Sequence, residues 1–414
     1  MPHLVLKSSL NAHSPTMLVA ILVALIVCSN VPLTTGSQSQ VDPRLTAATS
    51  RFALKLYDRI PRGDTSKNTF VSPTSIMLAL AMTYNGSYGT TRQAMARALE
   101  IDGMSLEEAN RAFADLKAML ASTDPKIQLK IANSLWSRKG FAIKPAFLER
   151  NKQYYGAEVA SLDFGDASAV DTINSWVSKN TEGKIEKIIN EIGDGDILFL
   201  INAIYFKGQW QHEFDKKKTK PDVFTLAGGE RKQMPMMSQS ESYFYYKGKN
   251  FQSVALPYGK GGVSMYVFLP DEQTGLDQFE QELTPENWDG WMKSFGLRPG
   301  EVTLPRFKVE WEANLNEMLA GLGMEEAFDG RADFSQIAEP VGGEKIYISE
   351  VMHKSLCEVN EEGSVAAAAT SVRMGIASAP PPPFVMKVDR PFFFAIRDNQ
   401  TGLLLFMGSV RNPA

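Results

Sequence analysis

Residues 198–206 read LFLINAIYF, a continuous apolar run. A strand of that composition has both faces covered, so it must lie inside a sheet with packed layers on either side. Patterns elsewhere in the chain narrow what those layers can be. Upstream, Leu45, Ala48, Phe52, Leu56 and Ile60 recur at helical spacing and predict an amphipathic first helix. Ser72-Pro73 supplies an N-cap followed by proline at the first helical position. Behind it Ile76 to Met82 is apolar all round, which predicts a central, buried helix. Ile173, Trp176 and Val177 mark another helix, closed near Gly183. Downstream, Val263 to Leu269 repeats the apolar strand pattern. Val302 and Leu304 alternate on one parity and Phe307, Val309 and Trp311 on the other, which predicts a bulge or kink at Pro305. Phe392–Arg397 and Leu403–Val410 flank Asp398-Asn399-Gln400-Thr401-Gly402, a hairpin. Helices crowd the first half and strands the second, so the predicted class is α+β and not alternating βαβ.

Much chemistry is excluded by shortage of parts. Over 414 residues the formal net charge is -4, which gives no electrostatic footprint for nucleic acid. Two Cys and four His rule out a disulfide scaffold or a cysteine-based zinc module. There is no P-loop, no GxGxxG and no HExxH. Asn85-Gly86-Ser87-Tyr88-Gly89 imitates a nucleophile elbow but begins with Asn and follows a helix. A catalytic triad would have to use His212 or His353, and His353 sits in a strand-like stretch where a satisfied structural histidine is the better reading. Lys216-Lys217-Lys218-Thr219-Lys220 reads as a solvated basic loop, with polyanion binding the alternative. An enzyme is not expected, and no metal or cofactor is called for.

The long apolar run at the N-terminus, Met17 to Cys28, has twelve residues. That is short of the about 20 needed to span a bilayer but suits a signal-peptide core. Small residues follow, so residues 1–36 are expected to be a signal peptide cleaved near Gly36 or Ser37, with Met1 and Met17 both open as the start. The expected product is secreted, spans no membrane and carries a single thiol, Cys357. Asn85-Gly86-Ser87 and Asn399-Gln400-Thr401 are N-glycosylation sequons.

Residues 358–379 are unusual. Two acids and a glycine, Glu361-Glu362-Gly363, lead through Ser364-Val365 into Ala366-Ala367-Ala368-Ala369, Thr370 and further small residues, then Pro380 to Pro383. Alanine favours helix, yet Gly363, Val365, Thr370 and Val372 are poor companions for one, and the proline run must be extended. An exposed, protease-accessible loop fits better. Here the sequence resembles the serpin family. Glu361 to Thr370 looks like the proximal hinge of an inhibitory reactive-centre loop. Asn68, Phe70, Ser72, Pro73 and Ser75 match the family's second-helix entry, and Asn202, Phe206, Lys207, Gly208 and Trp210 its central-sheet motif. Leu304-Pro305-Arg306-Phe307, His353-Lys354, Pro391-Phe392 and Phe406-Met407-Gly408 complete the set. The hinge wording is similar to that of secreted serpins of blood-feeding arthropods.

The resemblance implies one serpin domain over residues 37–414, with three β-sheets, eight or nine helices and a reactive-centre loop at about 361–383. It implies suicide-substrate inhibition of a serine protease, held as a covalent acyl complex while the loop inserts as a new strand. Residue parity supports insertion: Ala366, Ala368, Thr370, Val372 and Met374 share one face, and the sole charge, Arg373, falls on the other with Val365, Ala367, Ala369 and Ser371. Val365 departs from the Glu more usual in the family, but on the face that does not enter the core. Family spacing from Gly363 puts the scissile bond at Ala377-Ser378, and the alanine points to elastase-like targets. Cleavage at Arg373 would leave ten residues, about 33 Å at roughly 3.3 Å each, too short for full translocation. The resemblance also implies an exposed ion pair between Arg306 and Glu361. The alternative is a non-inhibitory carrier, chaperone or storage serpin. Cysteine proteases stay open as further targets, glycosaminoglycan binding has only Arg92 and Arg97 behind it, and a monomer is expected.

Overall fold

The computed structural model describes residues 41–62, 66–121, 124–363 and 382–413. They form one compact unit with nine α-helices: α1 (Pro43–Asp58), α2 (Pro73–Tyr84), α3 (Gly89–Ala98), α4 (Leu106–Ala121), α5 (Pro145–Tyr155), α6 (Ser168–Asn180), α7 (Gly275–Gln281), α8 (Pro285–Ser294) and α9 (Asn316–Leu319). The first strands are β1 (Thr69–Val71), β2 (Ile127–Arg138), β3 (Glu158–Leu162), β4 (Leu198–Gly208), β5 (Lys220–Thr225), β6 (Arg231–Lys247) and β7 (Phe251–Tyr258). The remainder are β8 (Val263–Pro270), β9 (Gly296–Pro305), β10 (Phe307–Asn314), β11 (Glu350–Val359), β12 (Phe384–Lys387), β13 (Phe392–Asp398) and β14 (Leu404–Val410). The class is α+β, as the sequence pattern predicts.

Two hydrogen-bonded ladders hold these strands. One has five, in the order β10-β11-β4-β2-β3. The other has nine, running β1-β14-β13-β8-β7-β6-β9-β12 with β5 beside β6. The 17-residue β6 pairs with β5 over Arg231–Met236, with β9 along Met236–Tyr245 and with β7 over Phe244–Lys247, so two of the three implied sheets share this strand. No kink within one strand occurs at Pro305. Instead the chain changes sheets there: β9 pairs with β6 and β12 in the large ladder, and after Arg306 β10 pairs with β11 in the small one. The change of parity in the sequence is the exchange of one core face for another.

LFLINAIYF is central β4, and both its faces are covered. Leu198, Leu200, Ile204 and Phe206 join the main core, while Phe199, Ile201 and Ala203 pack with Trp136, Ile173 and Val177, the last two from α6. All twelve residues of α2 are buried. Its N-cap Ser72 accepts from Ser75 N and donates to Leu405 O at 2.7 Å, and Thr74 donates to Leu404 O at 2.8 Å. Asn202 Nδ2 reaches Ser75 Oγ at 2.6 Å from the other side. The helix thus ties β14 to the centre of the five-stranded sheet.

Candidate functional hinge and central sheet

β4 and β11 are parallel neighbours through eight register pairs, from Glu350↔Phe199 to Cys357↔Phe206. At the end of β11 the chain is clasped at successive residues. Trp210 Nε1 donates to Asn360 O at 2.8 Å, Phe214 N to Glu361 O at 3.0 Å and Trp210 N to Glu362 O at 3.4 Å. Trp210 is itself fixed by stacking on Tyr258, with ring centroids 4.3 Å apart. Gly363 then turns with φ +53°, and a Cβ there would lie 2.2 Å from Trp210 N and 2.6 Å from Gly208 O. Only glycine combines that left-handed backbone with so close an approach.

The structure brings Arg306 and Glu361 together. Arg306 Nε donates to both carboxylate oxygens at 2.8 Å, Nη2 donates at 2.5 Å, and Thr219 Oγ1 adds a bond of 2.5 Å. The expectation of an exposed pair needs correction, since Glu361 is 2% exposed and Arg306 44%. Burial alone would raise the Glu361 carboxyl, but the bonds from Arg306 and Thr219 outweigh it and hold the group below its ordinary value. Lys216 pairs with the neighbouring Glu362, so the basic loop does more than solvate itself. Thr219 and Phe214 were not singled out from sequence as hinge partners; Thr219 is hidden inside the basic cluster. Glu361→Lys sets a cation against Arg306, and about 1–2 kcal/mol of stability should go, less than for a fully buried pair because Arg306 is half in water. Slower refolding and loop-sheet polymers on native gels are the expected result; a variant that folds and inhibits as wild type does would make the pair dispensable.

Beneath the β4–β11 pair lies a buried polar network. His353, on β11, is fully buried, with Nδ1 2.5 Å from Asn202 Oδ1 on β4. Its Nε2 accepts from Ser72 N at 3.4 Å, so the proton belongs on Nδ1. Asn202 also donates to Ser75 and to Asn133 on β2, and Ser355 donates to Phe70 O. Burial pushes the His353 imidazole down to about 3, so it is neutral at pH 7 and structural.

Other expectations fall differently. Ser364 to Thr370 and the Ala377-Ser378 bond lie outside the described residues, as do residues 1–36. Asn85 is corrected: it is fully buried, donates to Asn110 Oδ1 at 2.9 Å and accepts from Asn110 Nδ2 at 2.8 Å. That reciprocal amide pair leaves no space for a glycan. Asn399 is exposed, donates to Gly261 O at 2.9 Å and Ser264 Oγ at 2.8 Å, and stays a candidate acceptor. Arg92 stacks on Tyr88 and donates to Ser87 O, so of the two basic residues on α3 only Arg97 is free in water. Among the described residues no cluster of three or more His, Cys, Asp or Glu could hold a metal, and no helix is long and apolar enough to cross a membrane.

The five-stranded sheet thus has a parallel pair beside its centre and a glycine-turned exit beyond it. Residues 47–413 match the family described as Serpin (serine protease inhibitor), and the chain belongs to it. It is 38% identical over 383 residues to the leukocyte elastase inhibitor of Sus scrofa, spanning 89% of this chain and 100% of that one. To Iripin-2 of Ixodes ricinus it is 35% identical over 379 residues, 90% of this chain and 94% of the relative. The thermophilic serpin tengpin in its native state superposes with a TM-score of 0.82 at 35% identity, covering 90% of this chain and 95% of that one. Family membership fits an inhibitor of serine proteases and not a catalyst.

Proposed function

We propose that the protein is a secreted suicide-substrate inhibitor of elastase-like serine proteases, cleaved at Ala377-Ser378. The observation that carries this reading is the parallel β4–β11 pair with its exit at Gly363. A chain that reverses at Gly363 runs antiparallel to β11 and, because β4 is parallel to β11, antiparallel to β4 as well. Its insertion exchanges one slanted parallel ladder for two antiparallel ones, which are somewhat more stable per residue. Fourteen residues from Ser364 to Ala377 reach about 46 Å at roughly 3.3 Å each, against a diameter on the order of 55 Å for a compact domain of this many residues. The protease's nucleophile attacks the Ala377 carbonyl, the Ser378 amine leaves with a proton, and the acyl ester is carried along with the inserting strand. The bonds on Asn360, Glu361 and Glu362 hold the hinge until that step.

The methyl side chain of Ala377 suits a small apolar pocket, and the leukocyte elastase inhibitor similarity supports the same class. Secretion is supported by the Met17–Cys28 run, with exposed Asn399 as the glycan site. Cleavage without a protease attached should leave a more stable molecule, because the loop is then free to insert. After limited proteolysis in the loop, the urea midpoint should rise well above that of the intact protein. A cleaved form no more stable than the intact one would mean that no insertion occurs.

A further inference from the structure

β10 is the outer strand of the five-stranded sheet and pairs with β11 alone. Along it runs a groove of about 780 Å³. Every residue from Glu310 to Asn314 lines this groove, so its wall is the backbone edge of the strand and not one of the two faces. The turn after α1, with Pro61 and Arg62, and the entry to β1 contribute to the rest. Among the described residues the backbone of 308–314 bonds to no other backbone except that of β11. Seven residues of open edge, about 23 Å at roughly 3.3 Å each, are a template for one more strand.

Charged side chains commonly guard such an edge, and here the acidic guards are engaged elsewhere. Glu310 and Glu312 both turn to Lys354 of β11, at 3.2 Å and 2.7 Å. The buried Glu280 is held by Arg411 and by Tyr57, each at 2.8 Å. The cations of the groove are less committed. Lys308 comes no nearer to Glu358 than 3.8 Å, and Arg62 meets Asp58 one turn back at 3.2 Å, in a pair that faces water. Pairs of that kind contribute little and yield to a better partner. Lys308 and the half-buried Trp311 stand on opposite parities of β10, so an added strand would meet a cation on one face and an apolar surface on the other. We propose that the free edge of β10 binds an extended acidic segment of a partner protein as an added strand. Its main chain bonds to the β10 edge, its carboxylates meet Lys308 and Arg62, and the apolar residues alternating with them pack on Trp311 and Met318.

Fluorescence anisotropy of a labelled hexapeptide alternating Glu and Val, titrated with the full chain, tests the site. Saturable binding of one peptide per chain is expected, weakened about tenfold or more when Lys308→Glu and Arg62→Glu are combined and for the same peptide with Lys in place of Glu. Two N-methylated peptides separate strand addition from mere charge attraction. In an added strand only alternate N–H groups face β10, so methylating the amides of one residue type should abolish binding and methylating the other should leave it. No saturable binding, or equal binding of both methylated peptides, would overturn the added strand. Equal binding of the Lys peptide would overturn the acidic partner. Sedimentation of the chain alone covers the remaining occupant: a dimer that the peptide dissociates would assign the edge to a second copy and overturn the proposal.

Discussion

Thr370→Arg is expected to turn the protein from an inhibitor into a substrate. Thr370 shares a face with Ala366 and Ala368, the face that an inserted strand would turn to the core. An arginine there must bury an unpaired charge part-way through insertion, at a cost of several kcal/mol. The acyl-enzyme then hydrolyses before the strand is home. Each 1.4 kcal/mol on the insertion barrier is about tenfold in rate, so inhibition should fall by roughly a hundredfold or more while cleavage continues. Ser371→Arg places the same charge on the opposite face and should cost little. The measurement is the number of inhibitor molecules consumed per protease inactivated. Equal losses in both variants would show that parity does not govern insertion.

Acid should destabilise the protein through His353. Its folded-state value is about 3, against about 6.5 when unfolded, so the unfolded chain binds the extra proton first. The stabilisation is complete above about pH 6.5 and is lost as pH falls toward 3. Between pH 7 and pH 4.5 the loss from this group alone is about 2.5 kcal/mol. A proton on Nε2 would face the Ser72 N–H that this nitrogen now accepts from, and would put a charge beneath the β4–β11 pair. Urea unfolding across that range should show the slope, and His353→Gln should remove most of it. A variant as acid-sensitive as wild type would move the effect to other groups.

How much could be read from residues alone followed from whether the signal was local. LFLINAIYF announced a strand covered on both faces because continuous apolarity has few other uses, and α2 announced its burial in the same way. At Pro305 the parity change was visible, but a bulge and a change of sheet leave the same trace in one dimension. The Asn85 sequon is a three-residue pattern that says nothing of the amide pair with Asn110, twenty-five residues on. Glu361 and Arg306 could be paired through the family motifs, yet the burial of Glu361 depends on Thr219 and Phe214, which reach it from a loop far away in the chain. Long-range placement of that kind is set by the sheet, and no short motif carries it.

The central claim is that the protein traps its protease by cleavage at Ala377-Ser378 followed by strand insertion. Mixing the protein with an elastase, isolating the SDS-stable complex and weighing the released C-terminal peptide tests it in one measurement. A covalent band with a fragment that begins at Ser378 is the predicted result. Complete cleavage without any covalent band, or a stable complex whose fragment begins at Met374, would contradict it.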